Sequence, residues 1–259
     1  RTWDNNEETN KEFDKDTLIT ETNGYVRYKN VTLYATWTKN PGHTHTYGEK
    51  KTLTRATTTK DGKRTATYIC TGCKATYTKT LQTYYKVNNI KLSKTAYTYN
   101  GKVQKPSVTV KDSKGKTLKN GTDYKISYPK GMKNVGKYTV KVTLKGNYSG
   151  SKSMTYNINP KGTGVSKVTA AKKGFKVTWK KQATQTTGYQ VQYSTSSKFK
   201  SAKTVTISEN KTTSKSVGKL SAKKKYYVRV RTYKTVKIGG KSVKLYSGWS
   251  KAKSVTTKK

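Results

Sequence analysis

One stretch decides the fold: Tyr226-Tyr227-Val228-Arg229-Val230-Arg231-Thr232-Tyr233. Its polar and apolar side chains alternate with period two, as in a β-strand with one face in a core. The inward face holds Tyr226, Val228, Val230 and Thr232. The outward face is cationic and aromatic and holds Tyr227, Arg229, Arg231 and Tyr233. The stretch therefore predicts a strand that belongs to a β-sheet with one buried face.

The same pattern recurs along all 259 residues, where short β-branched and aromatic runs are separated by Asn-Gly, Gly-Gly and Lys-Gly pairs. Asn-Gly and Gly-Gly pairs favour the left-handed dihedral angles of tight hairpin turns. Few aliphatic residues and a net charge of +44 are by themselves typical of disorder. The periodicity instead predicts an all-β chain, a linear array of small β-modules in which many of the 21 tyrosines supply core volume.

Charge divides the chain unevenly. Residues 1–39 hold six of the 56 basic and seven of the 12 acidic residues, so fifty basic and five acidic residues remain for the rest. Such an excess predicts polyanionic partners, and nonspecific binding of nucleic acid is expected with it. No apolar run approaches the roughly 18 residues of a membrane span, so no span is expected.

The outward face of the opening stretch is the best local candidate for a polyanion site. Arg229 and Arg231 alternate with Tyr227 and Tyr233, and together they could stack on an anionic sugar or a base. The alternative is that cations on outer faces only keep the sheets soluble and protect their edges from pairing.

A second candidate site lies between residues 43 and 82. Cys70-Thr-Gly-Cys73 forms a turn that brings two thiolates together, and His43 and His45 face one side of an extended strand. These are ligands that zinc prefers, so we predict a structural zinc ion that staples a module too small for its own core. The alternatives are an idle or disulfide-linked cysteine pair in a plain hairpin. A redox role is less favoured because no βαβ pattern surrounds the pair.

Two amino-terminal regions are similar to small bacterial modules. Residues 1–39 resemble the second half of the Listeria–Bacteroides repeat, a β-grasp-like module, because Val31-Thr-Leu-Tyr-Ala-Thr-Trp37 matches its closing strand. Residues 43–82 resemble a hairpin or ribbon module of secreted clostridial proteins with an initial His and a Cys-x-x-Cys turn. That family has a further cysteine where this chain has Thr58, so the resemblance implies a full metal site only if the second histidine substitutes.

Two larger modules follow. Residues 86–160 resemble bacterial Ig-like β-sandwiches, through Tyr97-Thr-Tyr-Asn-Gly101, Asn120-Gly-Thr-Asp-Tyr124 and Gly146-Asn-Tyr-Ser-Gly150. Residues 164–257 resemble a fibronectin type III domain, with strands expected at 165–168, 175–179 and 189–193 and a hairpin at Gly239-Gly240. The resemblance implies that Trp179 is the core tryptophan. It also implies that Tyr226, six residues after Leu220, makes a tyrosine corner, in which the hydroxyl bonds to the backbone upstream.

These resemblances imply a non-catalytic carboxy-terminal region of a secreted Gram-positive surface protein, located at the cell surface or in the cell wall. It would act as an adhesin stalk or bind anionic wall polymers, host glycans or host surface proteins, and it could self-associate. The alternatives are an accessory region of a secreted hydrolase and a subunit of a surface filament. We expect no enzymatic activity. A catalytic triad needs a histidine base, and both histidines lie in one strand near the cysteines. Acids are scarce outside the amino-terminal segment, and no glycine-rich phosphate loop opens a helix.

Overall fold

The computed structural model describes residues 19–21, 24–26 and 44–259. Every regular element in these residues is a β-strand, which confirms the all-β prediction. None of the described segments contains a helix with the length and apolar character needed to cross a membrane. The chain forms two compact units, one of Arg1–Tyr47 with Cys70–Lys74 and the other of Gly48–Ile69 with Ala75–Lys259.

The first unit contains a short hairpin. Strand β1 (Ile19–Glu21) pairs in antiparallel fashion with β2 (Gly24–Val26), and Ile19 lies opposite Val26. The strand predicted at 31–37 falls outside the described residues, so the resemblance of residues 1–39 to a β-grasp-like repeat stays a prediction.

Three strands follow in the region predicted to be a ribbon. They are β3 (Tyr47–Thr54), β4 (Gly62–Cys70) and β5 (Thr76–Tyr84), hydrogen-bonded in that order. The connection before β4 requires glycine, because a Cβ on Gly62 would lie 2.2 Å from the Ala56 nitrogen. Strand β4 therefore begins at this glycine.

The connection between β3 and β4 packs into the next module. The Ala56 N–H donates to the Asn147 carbonyl at 3.0 Å, and the Ser149 N–H donates to the Ala56 carbonyl at 2.8 Å. Ala56 is fully buried in the same core cluster as Val110 and Val142. Residues near 56 thus complete the hydrophobic core of a module that begins thirty residues later in the sequence.

That module, at residues 86–160, is a β-sandwich. One sheet pairs β6 (Asn89–Leu92) with β8 (Val108–Lys111). The other has the order β7-β11-β10-β9 and consists of β7 (Ala96–Thr98), β9 (Tyr124–Ser127), β10 (Gly136–Leu144) and β11 (Ser151–Asn159). Tyr156 is 1% exposed and donates a hydrogen bond to the Gln104 carbonyl, so tyrosine supplies core volume here as predicted.

The carboxy-terminal sandwich also has two sheets. The first is β12 (Val165–Ala171), β13 (Gly174–Trp179) and β16 (Ser214–Val217). The second has the order β15-β14-β17-β18, with β19 also paired to β17. Its strands are β14 (Gly188–Ser194), β15 (Lys203–Ile207), β17 (Lys225–Ile238), β18 (Lys241–Tyr246) and β19 (Lys253–Thr256). The three predicted strands and the hairpin are confirmed, and Gly239 and Gly240 have φ angles of 56° and 79°.

The core of this sandwich contains Trp179, Val228 and Val230, as predicted. Tyr226 is buried there too, but the prediction that it makes a tyrosine corner is wrong, since no described residue receives a hydrogen bond from its hydroxyl. The hydroxyl of Tyr189 is hydrogen-bonded in a different way. It donates to the Asn210 carbonyl at 2.8 Å and accepts from the Gln182 N–H at 2.9 Å.

The two sandwiches are joined by direct hydrogen bonds. Gln185, which has a left-handed φ of 54°, accepts a hydrogen bond from the Val135 N–H at 3.1 Å. In the connecting segment, the Lys161 carbonyl accepts from the Thr232 hydroxyl at 2.8 Å. Polar contacts on both sides of the connection therefore hold the two sandwiches against each other.

Candidate functional site

Three of the four predicted zinc ligands converge in the first unit. The ligand atoms of His45, Cys70 and Cys73 all lie within 4.8 Å of one another, and the Cys73 Sγ is 3.5 Å from the His45 Nδ1. No disulfide bond joins Cys70 and Cys73, so the predicted alternative of a disulfide is not formed. Cys70 is fully buried, whereas Cys73 and His45 are exposed. His43, the fourth predicted ligand, lies outside the described residues.

Backbone hydrogen bonds create this convergence. Thr71, next to Cys70, donates its N–H to the Thr46 carbonyl at 2.9 Å and its hydroxyl to the same oxygen at 3.2 Å. The turn closes where the Lys74 N–H meets the Cys70 carbonyl at 3.1 Å, with a left-handed φ of 63° at Lys74. The segment that carries His45 and the cysteine turn are thus aligned by hydrogen bonds that need no metal.

The donor set fits zinc. Two thiolates and an imidazole are ligands of structural zinc sites, in which donors about 2.3 Å and 2.0–2.1 Å from the metal lie roughly 3.5–3.8 Å apart. The Cys73–His45 distance already lies in that range, and no two of the three donor atoms are more than 4.8 Å apart. Three side chains of this unit can therefore hold one zinc ion.

The predicted polyanion site on β17 has a different structure from the one expected. The Arg229 guanidinium lies 3.8 Å from the Phe199 ring centroid and 4.8 Å from that of Trp249. The Arg231 guanidinium lies 4.3 Å from the Trp249 centroid and 3.9 Å from that of Tyr246. The two arginines and three aromatic rings form one alternating stack, which we call the arginine ladder.

Neighbouring strands use the hydrogen-bond donors of the arginine ladder. Gln190 and Gln192 of β14 lie directly opposite Arg231 and Arg229, and each accepts two hydrogen bonds from its arginine through Oε1. Partial burial lowers the pKa of both arginines, and Arg229 further lowers that of Arg231. The guanidinium groups are therefore already stacked and hydrogen-bonded within the domain.

Three predicted site residues need correction. Tyr233 is only 2% exposed, so the prediction that it stacks on an outside ligand is wrong. Arg229 and Arg231 are half-buried between aromatic rings, so their first role is to stabilise the domain. Tyr227 is half-buried, with the Lys225 ammonium 5.5 Å from its ring.

A cationic groove lies where residue 56 enters the first sandwich. It measures about 390 Å³, and its charged lining residues are Arg55, Lys141 and Lys145. Thr143, Ser149 and Ser151 add hydroxyl groups. Arg55 is oriented because its Nε donates to the Gly146 carbonyl at 2.9 Å. None of the described residues that line the groove is acidic.

The groove continues onto the exposed face of β9, β10 and β11. Lys141 of β10 lies opposite Ser127 and Ser153, and Thr143 lies opposite Lys125 and Ser151. Lysine ammonium groups and hydroxyls therefore alternate across three strands. Sequence reasoning missed this surface because Arg55 joins it only through the packing of Ala56.

The carboxy-terminal sandwich matches a known protein family. No curated protein sequence matches the chain. Among solved structures, the FN1–FN3 domains of chicken CNTN1 match with 14% identity and a TM-score of 0.33, covering 76% of this chain and 78% of that one. Domains A168–A170 of titin match with 15% identity and a TM-score of 0.27, covering 81% and 83%. The fibronectin type III family matches residues 159–247, and the chain therefore contains a fibronectin type III domain.

Proposed function

We propose that this chain is a non-catalytic modular region of a secreted bacterial surface protein that binds anionic wall polymers through its lysine-rich β surfaces. The module resemblances and the fibronectin type III domain support the modular, non-catalytic part. The distribution of charge supports the binding part.

The observation that carries the proposal is the lack of internal counterions. Residues 44–259 hold fifty basic and five acidic residues. Three of the acids, Asp61, Asp112 and Asp123, accept hydrogen bonds from backbone N–H groups. Within the described residues only two ion pairs form, Lys51–Glu49 and Lys211–Glu209. Nearly all of the positive charge must therefore be neutralised by ions or polymers from outside the chain.

The cationic groove is the place where this charge is best organised. Arg55 is held in place by its hydrogen bond to Gly146, and Lys141 and Lys145 extend from the adjoining sandwich. A phosphate group in the groove could meet two cations and several hydroxyls at once. The exposed face of β9–β11 then offers further lysines to the next charges of the same polymer.

Wall polymers fit these surfaces better than nucleic acid does. Proteins that bind single-stranded nucleic acid stack bases on exposed aromatic rings, and recognition of duplex DNA commonly uses a helix in the major groove. Among the described residues that line the groove, Tyr148 alone is aromatic, and it is 3% exposed. A surface of cations and hydroxyls binds backbone phosphates without reading bases.

The test is binding of the purified chain to Gram-positive cell walls with and without teichoic acids, from low to high salt. We expect binding that needs the teichoic acid and weakens as salt rises, because polymer-bound counterions are released on association. Tight binding that persists at high salt, or equal binding to stripped walls, would contradict the proposal.

Matched variants locate the binding surface. Lys141→Gln with Lys145→Gln removes two charges from the groove, and Lys203→Gln with Lys215→Gln removes two exposed charges from the carboxy-terminal sandwich. The groove pair should reduce wall affinity more than the control pair does. Equal losses would show that the whole lysine coat binds without a preferred groove.

A further inference from the structure

We propose that His45, Cys70 and Cys73 form a zinc-binding site in the first unit, which is independent of the polyanion-binding surfaces. The site joins the segment that carries His45, just before β3, to the turn that follows β4. Its ligand is the metal ion alone, and its role is to hold these two segments together.

The first argument is donor chemistry. Two sulfur donors and an imidazole nitrogen lie within 4.8 Å of one another, in a chain with only two cysteines and two histidines. Two thiolates balance the charge of Zn²⁺, and soft sulfur with borderline nitrogen selects zinc over magnesium or calcium.

The second argument is alignment in advance. Thr46, adjacent to His45, and Thr71, adjacent to Cys70, share two hydrogen bonds. The His45 ring is further oriented because it stacks on the Tyr47 ring at a centroid distance of 5.6 Å. Contacts that fix the orientation of a ligand raise its affinity for metal, since less freedom is lost on binding.

The third argument is the contrast between the two cysteines. Cys70 is fully buried and Cys73 is exposed, yet both sulfurs approach the same histidine. Zinc would bind Cys70 as a thiolate, and the charge of the metal would offset the cost of burying that thiolate. A redox pair would instead need only the two sulfurs and would give no reason for the histidine to face them.

The experiment uses the full chain, purified in reduced form and titrated with Zn²⁺ and separately with Co²⁺. We expect one metal ion per chain and a sulfur-to-cobalt charge-transfer band of the intensity of two thiolates. His45→Gln and Cys73→Ser should each weaken zinc binding at least about 100-fold, since loss of even a supporting contact costs 10–100-fold. Circular dichroism checks that each variant is folded, and exposed Cys73 is chosen because buried Cys70 could affect folding.

Glu49→Gln is the matched control, because it removes a potential metal ligand that already bonds to Lys51 and Tyr68. It should bind zinc as the unaltered chain does. Equal zinc binding by Cys73→Ser and the unaltered chain would overturn the proposal and show only adventitious metal. Formation of a Cys70–Cys73 disulfide in air despite excess zinc, with loss of the metal, would also overturn it.

Discussion

The Arg231 guanidinium lies 4.3 Å from the centroid of the Trp249 ring, on the outer face of the fibronectin type III domain. Trp249 also lies 4.8 Å from the Arg229 guanidinium, so one ring contacts two cations.

Trp249→Leu should lower the free energy of unfolding by about 1–3 kcal/mol, because two cation–π contacts are lost together. Urea unfolding followed by circular dichroism measures this. Lys251→Gln, an exposed neighbour, should change it by less than about 0.5 kcal/mol. Equal effects would contradict the arginine ladder.

Lysine cannot replace arginine in the ladder. Arg229→Lys with Arg231→Lys keeps the net charge but removes the planar groups that stack and bind Gln190 and Gln192. We expect stability to fall by about 1–3 kcal/mol while affinity for wall polymers at a fixed salt concentration stays unchanged. If the double variant is folded but binds wall polymers clearly more weakly, the arginines of β17 do belong to the polyanion site.

Gly188 lies where β14 approaches β15 too closely for a side chain. A Cβ there would be 2.0 Å from the Ile207 carbonyl oxygen, which is backbone and cannot rotate away. Gly188→Ala should therefore cost about 3 kcal/mol or more of stability. Gly164→Ala is the control, since its Cβ would meet no atom within 4 Å. Thermal unfolding of both variants tests the prediction, which is contradicted if the two variants have the same Tm.

Alkaline pH should unfold the first sandwich through its buried tyrosines. Burial raises the pKa of Tyr156 to about 12 from an ordinary value near 10. Because ionisation is harder in the folded state, this contribution to stability is complete below pH 10 and is lost as pH rises towards 12.

Titration of tyrosinate absorbance, with stability measured at each pH, tests this. Tyr156→Phe should lose about 1 kcal/mol of folding stability at neutral pH, because it removes the hydrogen bond to the Gln104 carbonyl. Above pH 10, the stability of this variant should fall less steeply with pH than that of the unaltered chain. An unchanged alkaline slope would contradict the assignment.

The sequence predicts His43 as a fourth zinc ligand. Zinc at 100 times its dissociation constant should stabilise a folded site by about 2.7 kcal/mol. At the same zinc concentration, His43→Gln should lose about 1.4 kcal/mol of this stabilisation by zinc for each tenfold loss of zinc affinity. Thermal unfolding with and without zinc measures the difference. If His43→Gln keeps the full stabilisation by zinc, His43 is not a ligand and the protein supplies three.

Much of the fold was readable from local pattern. Alternation placed Tyr226, Val228 and Val230 in a core, and Gly239-Gly240 marked a hairpin, because strand periodicity and turn dihedrals depend on adjacent residues. The Cys70–Cys73 turn was visible for the same reason. The approach of His45 to it depended on the hydrogen bonds between Thr46 and Thr71, twenty-five residues apart.

The sequence by itself determined the main strands of the carboxy-terminal sandwich, which of their faces can be buried, and the excess of positive charge. Only the tertiary structure decided what each outward residue contacts. Phe199 and Trp249 enclose Arg229 because the strand register and two loops bring them there, and Ala56 fills a core thirty residues away. Alternation shows the side of a strand on which a residue lies, but long-range packing determines whether that side meets solvent or another part of the chain.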